Sequence, residues 1–273
     1  MIPNLPTAKQ IQEFQKKILT WYKKNERDLP WRHDRNVYHI LLSEIMLQQT
    51  QVLRVIPKYE AWLKRFPDFA TLASAPKRDI LFFWSGLGYN KRAFYLQKCA
   101  QIVLAVYAGE MPQDEKILQT FPGIGEYTAN ALLCFAFDKQ VAVIDTNIKK
   151  VIAVHFFHGS IPEKQILQHV ATCLLPQGKA YTWNQALMDF ASAEMKKEKI
   201  PIPKQTKFKD SDRYYRGQII KLLLSNQQYT FEEFLVHLRQ PIVRMKKILS
   251  GLERDQMVTQ KGIYYILRED TAK

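Results

Sequence analysis

Apolar residues recur at intervals of three and four positions through most of residues 8–197, which is the spacing of one face of an α-helix. The connections between these stretches are short and carry proline, glycine or aspartate, and few stretches alternate with a period of two. The pattern therefore predicts an all-α body. The predicted helices cover residues 8–24, 39–49, 55–66, 76–84, 90–107, 117–121, 127–137, 147–157, 164–175 and 183–195.

The pattern changes at residue 196. A lysine-rich stretch with two prolines and few large apolar residues follows, which is typical of a linker or an extended arm. Beyond it, three helical stretches precede a short hairpin with a turn at Lys261-Gly262, and this order is typical of a winged helix. We therefore predict a helical domain over 1–195, a basic linker over 196–211 and a winged-helix-like α/β domain over 212–273.

The charge of the chain narrows its possible partners. The 273 residues carry a net charge of +14, which favours a polyanion, either nucleic acid or an anionic membrane surface. No apolar run approaches the roughly 20 residues that span a bilayer, and the N-terminal sequence lacks the apolar core of a signal peptide. The three cysteines show no CxxC spacing, which argues against a cysteine-ligated metal. We therefore expect an intracellular, cytoplasmic protein in a reducing compartment.

A turn rich in glycine lies between two predicted helices. Pro122 ends the first helix, Gly123 and Gly125 permit a tight turn, and Thr128 lies at the start of the next helix. Such a turn directs backbone N–H groups outward at a helix N-terminus, where they can bind a phosphate without a charged side chain. Similar turns join many helices that bind nothing, so the spacing alone leaves both interpretations open.

A candidate carboxylate follows the second of these helices. Four apolar residues over 141–144 lead into Asp145, which directly precedes another predicted helix. Taken alone, an aspartate at this position is most simply an N-cap. Its combination with the glycine turn and a basic chain is a more specific pattern.

Six segments together resemble the adenine DNA glycosylases (MutY family) of the helix-hairpin-helix DNA glycosylase superfamily. They spread over residues 20–195, and the string SEIMLQQTQV is highly specific. The segments are Leu29-Pro-Trp-Arg32, Leu42-Ser-Glu-Ile-Met-Leu-Gln-Gln-Thr-Gln-Val52, Trp84-Ser-Gly-Leu-Gly-Tyr89, Phe121-Pro-Gly-Ile-Gly-Glu-Tyr-Thr-Ala129, Ile144-Asp-Thr-Asn147 and Asn184-Gln-Ala-Leu-Met-Asp189.

The resemblance implies a two-lobed, all-α helix-hairpin-helix fold for the main body. It implies a monofunctional DNA glycosylase of base excision repair, which hydrolyses the N-glycosidic bond of adenine mispaired with 8-oxoguanine or guanine. The implied partner is double-stranded DNA with a mismatch or lesion. We expect the protein to act as a monomer associated with the nucleoid and without a membrane partner.

The same resemblance assigns catalytic roles. Glu44 would be the general acid that protonates the leaving base, Asp145 would stabilise the cationic sugar, and Asn147 would orient Asp145. Tyr127 lies where bifunctional relatives carry a Schiff-base lysine, which implies a glycosylase without efficient lyase activity.

The other implied site residues form three groups. The residues that would line the pocket for the extruded base are Trp31, Arg32 and Asp189. The residues that would probe or wedge the DNA and contact the opposite base are Gln48, Gln49, Thr50, Leu87 and Tyr89. The residues of the phosphate-binding hairpin are Gly123, Gly125 and Thr128. A monovalent cation at this hairpin, held by backbone carbonyls, is also implied.

The chemistry explains these residue types. Adenine leaves poorly unless it is protonated, so the site needs an acid with a raised pKa, and the apolar helix around Glu44 should raise its pKa by burial. The departing base leaves a cationic sugar, which an ionised carboxylate stabilises. We expect Asp145 to stay ionised because it lies at a helix N-terminus. A base within a duplex must be flipped out before either group can reach it.

Two family features are missing from this sequence. Most adenine glycosylases carry four cysteines that ligate a [4Fe–4S] cluster after the segment matching 188–195, whereas no cysteine follows Cys173 here. A cluster needs four thiolates, so we predict none, and no cofactor for the chemistry. The usual C-terminal domain, which helps to read 8-oxoguanine, has no room within 212–273. Its absence leaves the preferred opposite base open.

Two other functions remain open at this stage. One is a mismatch glycosylase that removes thymine or uracil opposite guanine, since a relative with that activity also has tyrosine at the position of Tyr127. The other is a lesion-binding protein without chemistry. The presence of both Glu44 and Asp145 argues against the second alternative, because DNA binding alone needs no buried acid.

Overall fold

The computed structural model describes residues 5–198 and 207–269. Within these residues the chain forms fourteen α-helices, one 3₁₀ turn and three strands. The helices are α1 (Ala8–Asn25), α2 (Val37–Leu47), α3 (Val52–Arg65), α4 (Phe69–Ala73), α5 (Lys77–Trp84), α6 (Lys91–Tyr107), α7 (Glu115–Leu118), α8 (Glu126–Phe135), α9 (Thr146–Phe156), α10 (Lys164–Cys173), α11 (Ala180–Glu194), α12 (Asp212–Ser225), α13 (Phe231–Leu238) and α14 (Ile242–Arg254). The 3₁₀ turn is Pro30–Arg32, and the strands are β1 (Gln228–Thr230), β2 (Val258–Lys261) and β3 (Tyr264–Leu267).

The predicted helical body and winged-helix-like tail are confirmed. Every predicted helix is present, and α4, the 3₁₀ turn and β1 are additional. The three strands form one antiparallel sheet in the order β1-β3-β2, so β1 adds a third strand to the predicted hairpin. Part of the predicted linker, 199–206, lies outside the described residues. No helix of the described residues has the length and apolar composition to cross a bilayer.

The chain divides into two compact units. The first comprises residues 1–44, 112–120 and 124–204, and the second comprises 45–111, 121–123 and 205–273. Each unit is therefore discontinuous in sequence. The three-part division over 1–195, 196–211 and 212–273 stays a prediction.

The core of the first unit is built by its first and last helices. Helix α1 begins with a capping box between Thr7 and Gln10, and it buries Phe14, Ile18 and Tyr22. These side chains pack against buried apolar residues of α9, α10 and α11, including Trp183, which meets the Phe14 ring edge-on at 5.9 Å between centroids. This packing fixes the helices that carry Asp145 and Asp189.

The core of the second unit joins its helices to the winged-helix elements. Leu81 of α5 is buried in one cluster with apolar residues of α12, α13 and α14, and Phe94 of α6 packs against the same cluster. The helices of the tail therefore share a core with the helices that flank residues 85–90.

Candidate active site

Glu44 lies on α2 with apolar neighbours along the helix. Ile40, Leu41, Leu42 and Ile45 are buried, and the Glu44 residue is only 7% exposed. Burial raises the pKa of the Glu44 carboxyl from 4.5 to about 7. A carboxyl with this pKa is partly protonated at neutral pH, as a general acid requires.

Tyr127 contacts Glu44 directly. It lies in the first turn of α8, and its half-buried side chain donates a hydrogen bond to the Glu44 carboxylate. Burial, followed by the nearby charges of Glu44 and Asp145, raises the pKa of Tyr127 well above its ordinary value of 10.0. The hydroxyl therefore keeps its proton and can act as a hydrogen-bond donor to the acid.

Asp145 is the N-cap of α9. Its Oδ1 accepts a hydrogen bond from the Ile148 backbone N–H at 2.7 Å, and its Oδ2 accepts one from Asn147 Nδ2 at 2.8 Å. Asp145 is therefore an N-cap, and Asn147 also orients it as expected. One carboxylate is held at both oxygens, which fixes its direction.

The pKa of Asp145 differs from the sequence-based expectation. Burial raises this pKa above its ordinary value of 3.8, and the hydrogen bonds from Ile148 and Asn147 only partly oppose the rise. The N-terminus of α9 therefore does not decide the pKa of Asp145, because desolvation of the carboxylate outweighs the stabilisation of its charge there. Glu44 and Asp145 are both shifted in the same direction, and the charge of Asp145 itself contributes to the raised pKa of Glu44.

Arg32 and Asp189 form a buried ion pair. Asp189 is 1% exposed and accepts two hydrogen bonds from the Arg32 guanidinium, at 2.8 and 2.9 Å. Arg27 adds a further donor from Nε at 2.6 Å and one from its backbone N–H at 3.1 Å. Burial alone would raise the pKa of Asp189, but these arginines hold it below its ordinary value. Trp31, in the same 3₁₀ turn, is buried as well.

Removing the charge of Asp189 should destabilise the protein. Asp189→Asn leaves Arg32 buried with a neutral partner, and we expect a loss of about 3 kcal/mol in the free energy of unfolding. Urea denaturation measures this loss. Asp28→Asn is the matched control, because the Asp28–His33 pair is solvent-exposed and should contribute less than about 1 kcal/mol. Equal effects of the two substitutions would contradict the assignment of Asp189 as a structural anchor.

A cavity of about 540 Å³ lies in the first unit beside Tyr127. Its walls include Asn130, Ile144, Thr146 and Lys149, which come from α8, α9 and the segment before α9. Among the described residues, those that line this cavity do not include Glu44, Trp31, Arg32 or Asp189. The predicted pocket residues are therefore not brought together around this particular cavity, and their role in binding an extruded base stays a prediction.

The residues expected to probe DNA lie on two loops of the second unit. Gln48, Gln49 and Thr50 follow α2, whereas Leu87 and Tyr89 lie between α5 and α6. Gln49 and Tyr89 both have left-handed backbones, with φ of 56° and 46°. Tyr89 is 38% exposed, whereas Leu87 is only 6% exposed. Leu87 would therefore have to move before it could wedge into a duplex.

Arg92 joins these two loops, a role that no motif of the sequence indicated. Its guanidinium is buried and donates to the carbonyl oxygens of Ile45, Met46 and Gln48 at 2.6–3.0 Å. It also donates to the Thr50 hydroxyl at 3.2 Å and to the carbonyls of the second loop at 3.0 and 3.2 Å. Burial lowers the pKa of Arg92 to about 10. One arginine thus fixes both segments, through five backbone carbonyls and the Thr50 hydroxyl.

The glycine turn has the conformation that the sequence predicted. Gly123 has φ of +81°, where a residue with a side chain is strained, and a Cβ there would make a tight contact of 3.1 Å with the Tyr95 side chain. Gly125 is the N-cap of α8, and its backbone is open to solvent. Thr128 is 3% exposed, so its side chain packs in the interior. The Thr128 side chain is therefore closed to a phosphate, whereas the backbone at Gly123 and Gly125 is exposed.

Comparisons with known proteins place this chain in a family. The HhH-GPD superfamily of base excision DNA repair proteins matches residues 42–176. A solved structure of a thermostable thymine-DNA glycosylase is 31% identical, with a TM-score of 0.63, over 74% of this chain and 92% of that chain. The chain belongs to the HhH-GPD superfamily.

Two curated relatives are similar to this chain over shorter parts of their length. The adenine DNA glycosylase of Mycolicibacterium smegmatis is 41% identical over 64% of this chain and 61% of its own length. The adenine DNA glycosylase of Mus musculus is 34% identical over 78% of this chain and 44% of its own length. The chain thus spans about half of these relatives.

The cysteines of this HhH-GPD chain do not fit a [4Fe–4S] cluster. Cys99 and Cys134 are buried, and Cys173 is exposed on another helix. The 273 residues contain three cysteines, whereas a cluster of this kind uses four thiolates. In the described part of the chain, no group of three or more His, Cys, Asp or Glu is placed to hold a metal ion. The expected monovalent cation at the hairpin stays a prediction.

Proposed function

We propose that the protein is a monofunctional DNA glycosylase that removes adenine opposite 8-oxoguanine or guanine in base excision repair. The observation that carries the proposal is the group formed by Glu44, Tyr127 and Asp145, in which a protonatable acid and an anchored carboxylate come together in the first unit. The names of the curated relatives, adenine DNA glycosylases, support the choice of base.

The proposed reaction begins with a base flipped out of the duplex. Protonated Glu44 transfers its proton to a ring nitrogen of adenine, so that the N-glycosidic bond breaks and neutral adenine leaves. Ionised Asp145 stabilises the positive charge that develops on the sugar. Water then adds to the anomeric carbon and loses a proton, which completes hydrolysis. Tyr127 has no amine and cannot form a Schiff base, so the strand stays intact.

The partner in this proposal is double-stranded DNA with a mismatch or lesion. The net charge of +14 supports attraction to the phosphate backbone, which makes binding depend on salt. We propose that the backbone N–H groups of the turn at Gly123 and Gly125 bind one phosphate. We also propose that the protein works as a monomer, inside the cell and without an iron–sulfur cluster.

A second candidate is removal of thymine or uracil opposite guanine. The specific observation in its favour is the similarity to the thermostable thymine-DNA glycosylase, 92% of which is covered by this chain. The same Glu44 and Asp145 would serve that chemistry, so the two candidates differ in the base pocket.

Single-turnover excision on four labelled duplexes tests both candidates. The duplexes carry adenine opposite 8-oxoguanine, adenine opposite guanine, thymine opposite guanine, and uracil opposite guanine, and alkali reveals the abasic sites. Excision confined to adenine supports the first candidate, and excision of thymine or uracil supports the second. Strand cleavage without alkali would contradict a monofunctional enzyme.

The rate should depend on pH in a specific direction. Glu44 must be protonated, so the rate should fall as the pH rises through about 7, the raised pKa of this carboxyl. Asp145 must be ionised, so the rate should also fall at low pH, beginning above the ordinary aspartate value of 3.8 because its pKa is raised. Single-turnover rates measured from pH 4 to 9 give this profile. A rate that rises steadily up to pH 9 would exclude Glu44 as the acid.

A further inference from the structure

The tail is fixed to the helices that flank the second DNA-probing loop. Arg78 of α5 donates to the carbonyl oxygens of Leu223 and Leu224 at 3.3 and 2.6 Å, at the C-terminal end of α12. At the N-terminal end of α6, Lys91 pairs with Asp255 at 3.3 Å, and Asp255 also pairs with Arg216 of α12 at 2.6 Å. These contacts add to the shared apolar core around Leu81. Helix α12 thus has a defined position beside residues 85–90.

Arg213 of α12 contacts one residue of that loop in two ways. Its Nη1 donates a hydrogen bond to the Tyr89 hydroxyl, and its guanidinium carbon lies 5.1 Å from the centroid of the Tyr89 ring. The guanidinium of Arg92 lies 5.6 Å from the same ring. Two arginines, one from α6 and one from the tail, therefore hold a tyrosine whose backbone is left-handed and whose side chain is 38% exposed.

We propose that Arg213 is a positioning residue through which the C-terminal winged-helix-like tail takes part in reading the base opposite the excised one. The inference depends on the proposed function, because the role of Tyr89 at the opposite base comes from the family resemblance. The observation that carries it is the double contact, through hydroxyl and ring, between Arg213 and Tyr89.

The physical reason is preorganisation. An exposed tyrosine on a loop samples several rotamers, and fixing one of them when DNA binds costs conformational entropy. A planar guanidinium that contacts both the ring and the hydroxyl restricts these rotamers before binding. Lysine carries the same charge but lacks the planar fork, so it should restore charge without restoring the full contact. The contact should therefore affect discrimination between opposite bases more than general affinity for DNA.

Equilibrium binding to duplexes with a tetrahydrofuran abasic analogue tests the proposal in the full chain. The analogue is placed opposite 8-oxoguanine, guanine or cytosine, and fluorescence anisotropy gives the three Kd values. Arg213→Ala should reduce the ratio between the weakest and the tightest Kd about fivefold, and Arg213→Lys should recover part of it. Lys221→Ala removes an equal charge from an exposed position of the same helix and should keep the ratio of the unmodified protein. Thermal unfolding checks that all variants are folded.

A double-mutant cycle separates positioning from charge. If Arg213 acts through Tyr89, Tyr89→Phe and Arg213→Ala should each lower the ratio, and the double variant should lower it by less than the product of the single effects. Equal weakening of all three Kd values by Arg213→Ala would assign it to phosphate binding and overturn the proposal. A protein that does not discriminate between the three opposite bases would overturn it as well.

The binding assay also keeps this inference distinct from the proposed function. Binding to the analogue requires no excision, so a changed ratio supports the role of Arg213 even if the four-duplex assay shows that adenine is not the base removed. Conversely, excision of adenine with an unchanged ratio in Arg213→Ala supports the function and rejects the inference.

Discussion

Replacing Glu44 by glutamine should lower the single-turnover rate of adenine excision by about 10²–10⁴-fold, the range for loss of a general acid. Glutamine has nearly the same shape and can still accept the hydrogen bond from Tyr127, but it cannot give a proton to the leaving base. Affinity for a duplex with an abasic analogue should change little, because that analogue has no base to protonate. Fluorescence anisotropy and alkali-revealed strand breaks measure the two quantities.

The same substitution should stabilise the fold at alkaline pH. The folded protein holds the Glu44 proton up to about pH 7, whereas the unfolded chain releases it near 4.5, so the unfolded state binds fewer protons between these values. The unmodified protein therefore loses stability as the pH rises through this window. A pKa raised from 4.5 to about 7 corresponds to about 3 kcal/mol. Urea unfolding should show Glu44→Gln more stable by up to that amount at pH 8 and similar at pH 4.

The exposed Glu110 provides the control, since Glu110→Gln removes a carboxylate that lies at the surface. This variant should keep both the rate and the stability of the unmodified protein. A Glu44→Gln variant that retains activity, or that is less stable than the unmodified protein at pH 8, would remove Glu44 from the role of a buried acid.

Asp145→Asn should reduce excision by about 10²–10³-fold, the usual effect of removing one electrostatic stabiliser of a transition state. The fold should survive, because asparagine is as good an N-cap as aspartate and can accept the same bond from Ile148. What is lost is the negative charge beside the developing cation. Single-turnover rates measure the loss, and circular dichroism checks the helix content.

Asp68→Asn tests whether the effect belongs to charge or to capping. Asp68 is the N-cap of α4 in the second unit and accepts a hydrogen bond from the Thr71 backbone N–H at 2.7 Å, so it repeats the N-cap hydrogen bond of Asp145. The control should excise adenine at the unmodified rate. Equal rates for Asp145→Asn and Asp68→Asn would leave Asp145 as a cap without a role in the chemistry.

The sequence predicted the helices well because their periodic apolar faces are local signals. The stretch 90–107, for example, differs from α6 (Lys91–Tyr107) by one residue. The elements that it missed are short: α4 has five residues and β1 has three, too few to show a period. β1 is a strand only because Tyr229 pairs with Tyr265 of β3, a partner that lies far along the chain.

The site was predicted through motifs, and the contacts between distant segments were not. Glu44, Tyr127 and Asp145 were recognised by their surroundings in sequence, yet the hydrogen bond from Tyr127 to Glu44 needs the folded chain. The role of Arg92 could not be predicted, because an arginine in a helix normally faces solvent. The residues next to it in sequence do not indicate that its guanidinium binds the backbone carbonyls of two loops. The anchoring of Asp189 by Arg27 and Arg32 joins residues more than 150 positions apart.

The order of synthesis has a consequence for the first unit. Helix α1 leaves the ribosome well before α9, α10 and α11, against which its apolar face packs, and about half of the second unit is made in between. Phe14 and Ile18 must therefore stay exposed to water, or to a chaperone, while more than 100 further residues are added. Arg27 and Arg32 likewise have no Asp189 to bind until α11 has been made. A nascent chain that stops before Asp189 therefore lacks this ion pair and cannot complete the fold of the first unit. A truncated product should then be a target for proteolysis, and excision activity should appear only once α11 has been completed.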